Sequence, residues 1–115
     1  MPSGAFVRRD PTMGGFRFGD LDEVINGRVR LGTLAYLSTA GTVELQELKR
    51  RLDVTDGNLA SHIQTLETAA YVALEKRGAG RASVTRVSLT DAGRAALVRY
   101  LDIMERLAQE VRVGS

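Results

Sequence analysis

In the stretch TDGNLASHIQTLETA, residues 55–69, apolar side chains recur four and then three positions apart, a spacing that commits the segment to a helix with one buried face. Leu59, Ile63 and Leu66 form that face. At roughly 100° per residue, Gly57, Ser61, Gln64 and Thr68 point away from it, with Asn58 and Thr65 beside them. A helix retained only for core contacts would more often carry Lys, Glu and Arg outward, because those residues combine helix propensity with solubility. Here the outward side is small, neutral and rich in hydrogen-bonding groups, which suits close approach to base edges. Thr55 is the expected N-cap, and Asp56 suits the positive N-terminal end of the helix dipole.

The chain leading to this helix divides into an arm and a run of short helices. Residues 1–19 hold four glycines, both prolines and all three Phe of the chain, with no sustained period. They read as an arm, either a free leader or a segment that Phe6, Phe16 and Phe18 tie to the domain or to a partner subunit. Order is expected from Asp20, where Asp20 with Glu23 resembles a capping box and Leu21, Val24 and Ile25 follow as a buried side. After Asn26 and Gly27, a helix over 28–38 buries Val29, Leu31, Leu34, Ala35 and Leu37, and Ala40 and Gly41 end it. Residues 42–44 read as extended. A helix over 45–52 then buries Leu45, Leu48 and Leu52 and exposes Gln46, Lys49, Arg50 and Arg51.

Beyond residue 70 the period changes to strand-like alternation. Segments 71–76 and 83–89 place Val72 with Leu74, and Val87 with Leu89, on common faces, and 77–81 form the hairpin tip. Thr90 caps a last helix over 91–111, in which Leu97, Leu101, Met104, Ala108 and Val111 follow a heptad-like spacing flanked by Tyr100 and Leu107. That stripe exceeds what a small domain core covers, so pairing with a second copy is expected.

A length of 115 residues allows one domain. Its 43% hydrophobic and 26% charged content is that of a globular chain. With no Cys and one His, disulfides, thiolate chemistry and transition-metal sites are excluded or poorly supported. No triad context, phosphate-binding glycine loop or metal-ligand cluster appears, so no enzyme and no cofactor are expected. The apolar runs are too short for a membrane span, and the N-terminus lacks the apolar core of a signal peptide, so no membrane partner and a cytoplasmic location are expected. A net charge of +2 and a pI of 9.4 permit a nucleic-acid partner without requiring one.

Taken together, VRLGTLAYL at 29–37, LQELKRRLDVTDGNLASHIQTLE at 45–67 and LTDAGRAAL at 89–97 resemble the MarR/ArsR-like winged-helix transcriptional regulators of bacteria, in particular a subgroup whose recognition helix opens with TDGNL. The resemblance spans residues 21–107 and leaves the arm outside. It implies a mainly helical α+β fold: a winged helix-turn-helix over 20–112 with a two-stranded wing and a long C-terminal dimerisation helix at about 90–112. It also implies a homodimeric regulator, acting as a repressor on a palindromic operator in double-stranded DNA and open to a small-molecule effector of unspecified identity. The DNA-binding positions would be Thr55, Gly57, Asn58, Ser61, His62, Gln64 and Thr65 on the recognition helix, with Lys76, Arg77 and Arg81 on the wing. The dimerisation positions would be Leu97, Tyr100, Leu101, Met104, Leu107, Ala108 and Val111. Three departures stand out. Ala70 replaces the usual Gly after the recognition helix, Ala60 replaces a common Ser, and Ser61 and Gln64 are neutral where relatives are often basic. Affinity is therefore expected to depend more on the wing and the preceding helix.

Several residues carry two readings at this level. The outward face of 55–69 is either a solvated surface or a base and phosphate contact. His62 either packs at the helix boundary or donates to a phosphate. Arg77 and Arg81 are either solvated turn residues or minor-groove and phosphate contacts, and Lys49, Arg50 and Arg51 are either an exposed helix face or backbone contacts. The competing function class is a winged-helix module that binds protein and not DNA.

Overall fold

Local signals and non-local contacts divide the chain between them, and a computed structural model describing residues 12–13 and 16–114 shows where each prevails. Strands β1 (Thr12–Met13) and β2 (Phe16–Arg17) pair antiparallel, and a 3-10 turn at Phe18–Asp20 leads into the domain. Helices α1 (Arg28–Ala40), α2 (Leu45–Leu52) and α3 (Asp56–Thr68) follow, with the two-residue strand β3 (Val43–Glu44) between α1 and α2. Strands β4 (Val72–Arg77) and β5 (Val84–Leu89) form the wing, and α4 (Asp91–Gly114) completes the chain. The sheet is three-stranded and antiparallel in the order β3-β5-β4, with Val43 opposite Val87 and Val72 opposite Leu89. This is the winged helix-turn-helix plan expected from the sequence.

The core lies where α1, α3 and the start of α4 meet the sheet. Leu34, Leu37, Leu48, Leu59, Ile63, Leu66, Val72, Val87, Ala96 and Leu97 are all buried there. Each large aliphatic side chain removed from water contributes about 1.5–3 kcal/mol, so this cluster fixes how α3 is presented. Both expected caps are present. The Thr55 hydroxyl accepts from the Asn58 amide at 3.1 Å, and the Thr90 hydroxyl accepts from the Gly93 amide at 2.9 Å.

Five expectations need correction. Residues 20–26 do not form a capped helix: the Asp22 carboxylate accepts from the Val24 amide at 2.9 Å, and the Asp22 carbonyl takes the Ile25 and Asn26 amides, both at 3.1 Å. A short acid bonding its own backbone competes with a helix, and Arg30 takes three further carbonyls of this turn, as described below. Ile25 is nonetheless fully buried. On α1, Thr33 takes the buried position expected of Ala35, which is exposed; the Thr33 hydroxyl is satisfied by the Val29 carbonyl at 2.7 Å. The wing tip spans 78–83, because Arg77 still pairs with Val84 as the last residue of β4. On α4, Leu97 and Tyr100 face the core of their own protomer at 4% and 5% exposure, and the Tyr100 hydroxyl donates to Asn26 at 3.2 Å; they are not surface residues of a dimer seam. Finally, the arm is not irregular throughout, since the β1–β2 hairpin lies in it and β2 rests against α4. Phe6 lies outside the described residues, as do the side chains of Phe16 and Phe18.

At Ala70, where relatives usually carry Gly, the chain turns through the left-handed region at φ 65°. The Tyr71 amide donates to the Leu66 carbonyl and the Ala70 amide to the Glu67 carbonyl, both at 2.9 Å, the paired bonds of a Schellman ending.

Candidate nucleic-acid interface

The apolar stripe of α3 binds the helix to the core, and the opposite side is left open. Gly57, Asn58, Ala60, Ser61, Gln64 and Thr68 are exposed. Thr65 is half-buried, and its hydroxyl donates back to the Ser61 carbonyl at 3.2 Å. Ser61, Gln64, Thr65 and Thr68 share a surface depression of about 430 Å³ with Val24 and Ala69. The helix thus presents carboxamides, hydroxyls and small groups together, as its sequence implied, and α3 contains no Lys or Arg.

His62 sits at the boundary, and its surroundings distinguish its two nitrogens. The Arg30 Nη1 lies 3.0 Å from His62 Nδ1. A guanidinium only donates, so Nδ1 accepts and the ring proton resides on Nε2. Arg30 also donates to the carbonyls of Val24 at 2.6 Å, Glu23 at 3.2 Å and Asn26 at 3.4 Å. One side chain from α1 therefore holds both the 22–26 turn and the ring on α3. Sequence reasoning missed Arg30 because its partner lies 32 positions away and no periodicity links the two. It also missed Arg28, which donates to the Leu52 carbonyl at 2.9 Å and lines a depression of about 410 Å³ with Asp53, Val54, Thr55 and Asn58. That places a cation beside the N-terminal end of α3, where backbone amides already favour anions.

Further cations lie on α2 and on the wing. Lys49 bridges to Asp56 at 3.1 Å, tying α2 to the start of the recognition helix. Arg51 stacks over the Tyr36 ring, 5.3 Å from its centroid, and Arg50 is exposed. On the wing, Lys76, Arg77 and Arg81 are exposed, and Arg77 approaches Glu75 at 3.4 Å. Both carboxylate and guanidinium are well solvated in that pair, which adds little stability and leaves Arg77 able to exchange partners. The tip requires Gly78: φ is 83°, and a Cβ would stand 2.7 Å from the Ala82 carbonyl oxygen. Arg81 lies in the short 3-10 turn Gly80–Ala82 of that tip and is exposed.

Comparison with known proteins places this geometry. Residues 29–108 match the winged helix DNA-binding domain family. The chain belongs to that family. It is 30% identical over 89 residues to the uncharacterized protein MJ0432 of Methanocaldococcus jannaschii, covering 77% of this chain and 97% of the relative. The solved structure of a transcriptional regulator homologue from Pyrococcus horikoshii OT3 is 31% identical, with a TM-score of 0.71 over 76% of this chain and 87% of that one. The fold is also that of Streptococcus pneumoniae FabT, solved in complex with DNA, at 18% identity and a TM-score of 0.56 over 80% of this chain and 68% of that one. The protein is a winged-helix DNA-binding transcriptional regulator. No helix among the described residues is long and apolar enough to cross a membrane.

Proposed function

We propose that this winged-helix protein is a homodimeric repressor that binds a palindromic operator through α3 and the wing. The observation that carries the reading is the pairing of an exposed, neutral, hydrogen-bonding face on α3 with exposed cations on either side of it. Asn58, Ser61 and Gln64, with Thr55, Gly57, His62 and Thr65, are the major-groove set. Lys76, Arg77 and Arg81 track the adjacent backbone and minor groove. Two half-sites about one helical turn apart follow from a two-fold dimer. Promoter occlusion is the output proposed for it.

The dimer reading is supported by the part of α4 beyond the core, where Leu101, Met104 and Val111 are exposed at 37–60%. Leu107 and Ala108 are half-buried beside them. A 24-residue helix carrying such a stripe fits pairing with a second copy. The domain in this reading runs over 20–112, with 1–19 as an arm. An effector would act by changing the separation of the two recognition helices, with the arm, the 22–26 turn and α4 lining its site.

The test is selection of bound fragments from random duplex DNA, run with the intact chain and with Arg77 and Arg81 both changed to Ala. A palindromic consensus, bound more weakly by the wing variant at every sequence, is the expected result. Neutralising six to ten phosphates should cost about 10³ to 10⁵ in affinity between 50 and 200 mM salt. A folded dimer that enriches no sequence and shows no salt-dependent DNA affinity would instead identify a protein-binding module. Leu101→Asp should yield a folded monomer by sedimentation; a dimer that survives this change would move the seam elsewhere.

A further inference from the structure

We infer that the base pairs read by α3 are A·T pairs, adenine being recognised by carboxamides, and that guanine is not selected at those positions. The inference rests on the proposal that α3 enters the major groove, and it follows from what the helix does and does not carry. Guanine presents two acceptors, N7 and O6, to the major groove, and the side chains that satisfy both are the cationic donors Arg and Lys. The thirteen residues of α3 include neither. Adenine presents one acceptor and one donor, N7 and the N6 amino group, which a carboxamide matches with one donor and one acceptor. Asn58 and Gln64 are the carboxamides of α3, and both are exposed.

The depression beside Gln64 supplies the second half of the argument. Its walls join the Ser61 and Thr68 hydroxyls to the aliphatic groups of Val24 and Ala69. An apolar lining next to hydroxyls and a carboxamide matches the thymine edge, which offers a methyl beside the O4 acceptor. Ala60, exposed on the same helix, adds another methyl-sized surface.

The cations near the helix are held elsewhere. Lys49 is on Asp56, the carboxylate at the N-terminal end of α3, which could otherwise accept from a cytosine amino group; the other carboxylate, Glu67, lies in the last turn of the helix. Arg30 is on three carbonyls and His62, Arg28 is on the Leu52 carbonyl, and Arg51 is over Tyr36. All four cations come from α1 and α2, beside the helix rather than on its outward face, a placement for phosphate contact. His62 does not decide between purines, because a single Nε2–H donor is accepted by the N7 of either. Arg77 and Arg81 favour the same composition from the other groove, since runs of A·T narrow the minor groove and deepen its negative potential.

The experiment is selection from random duplex DNA at 50 mM salt with the intact chain, Asn58→Ala, Gln64→Ala and Gln64→Arg, the helix content of each being checked by circular dichroism. The positions read by α3 are those whose preference relaxes in the Ala variants. Those positions should be A·T in the intact chain's consensus, adenine should lose about 5- to 150-fold of its advantage over guanine in the matching Ala variant, and Gln64→Arg should turn one position from adenine to guanine. Guanine preferred at the relaxing positions of the intact chain would overturn the inference and leave the operator-binding reading standing. Relaxation at no position would also overturn it, because base readout would then not involve these carboxamides. A folded chain that enriches no sequence would overturn the operator-binding reading, and this inference with it.

Discussion

Replacing Ala70 by Gly should stabilise the protein, although glycine substitutions usually do the reverse. Ala70 is exposed and sits at φ 65°, immediately after the Ala69 C-cap, with its amide on the Glu67 carbonyl. A Cβ in the left-handed region costs roughly 1–2 kcal/mol, because it crowds the following carbonyl. Glycine removes that strain but adds about 0.4–1 kcal/mol of unfolded-state entropy. The difference is a net gain of about 0.8 kcal/mol, or roughly 3–6 °C in Tm for a domain of this size. The neighbouring residue supplies the control. Ala69 has φ −79° and ψ −2°, ordinary right-handed geometry, so Ala69→Gly gains no strain relief and should cost about 0.5–1 kcal/mol. Urea unfolding of both variants at one fixed protein concentration separates the cases, because any self-association would make apparent stability concentration-dependent. Opposite signs at adjacent positions are expected. Two losses of similar size would refute the assignment of strain to residue 70.

Three further outcomes follow from the same region and its surroundings. Gly93→Ala places a Cβ 2.1 Å from the Tyr71 carbonyl oxygen and 2.9 Å from Leu89 Cδ1, so it should destabilise by about 3 kcal/mol in thermal unfolding, whereas Gly57→Ala, helical and with nothing within 4 Å, should be stabilising by up to about 1 kcal/mol. Thr90→Val removes both the cap to Gly93 and the bond from its hydroxyl to the Ala70 carbonyl at 2.6 Å, and should lower stability by about 1–2 kcal/mol by urea titration. The Tyr71 phenol is raised above its ordinary value, chiefly because it donates to the Asp22 carboxylate and secondly by burial; Tyr36 is raised in the same way by Glu47. A raised folded-state value means that this stabilisation is complete below the unfolded phenol's pKa near 10 and is lost as pH climbs through the folded one. Unfolding free energy measured from pH 8 to 11.5 should therefore fall more steeply for the intact chain than for Tyr71→Phe, and equal slopes would remove Tyr71 as a cause.

The parts of this fold that were legible are those in which the signal is local. Leu59, Ile63 and Leu66 are four and three residues apart and all buried, and Thr55 and Thr90 both cap the helices they precede. Residues 20–26 misled because their fate is decided from outside: Arg30, on α1, takes the carbonyls of Glu23, Val24 and Asn26 that a helix would have needed. Leu97 and Tyr100 misled for a different reason. A heptad stripe for a partner helix and a core stripe for the helix's own domain have the same spacing, and here the first half of α4 packs inward while Leu101, Met104 and Val111 remain exposed. At the interface, the polar face of α3 was visible as composition, whereas the Arg30–His62 bond depends on α1 lying against α3 and could be found only in three dimensions.

The junction between α3 and α4 links the two surfaces that the proposed function uses. The Ala70 carbonyl accepts the Thr90 hydroxyl at 2.6 Å, the Tyr71 carbonyl accepts the Thr90 amide at 3.1 Å, and Gly93 lets the first turn of α4 close against Tyr71. The C-terminal end of α3 is thus bonded to the N-terminal end of α4 through backbone groups and a half-buried hydroxyl. The other end of α3 is attached to α2 by the Lys49–Asp56 pair, whose carboxylate is 72% exposed and which therefore contributes little. If α4 forms the dimer seam, a shift at the seam acts on α3 through this junction, and because Leu59, Ile63 and Leu66 lock α3 into the core along its length, the helix moves as a unit. Asn58, Ser61 and Gln64 of the proposed major-groove set would then be displaced together relative to the bases.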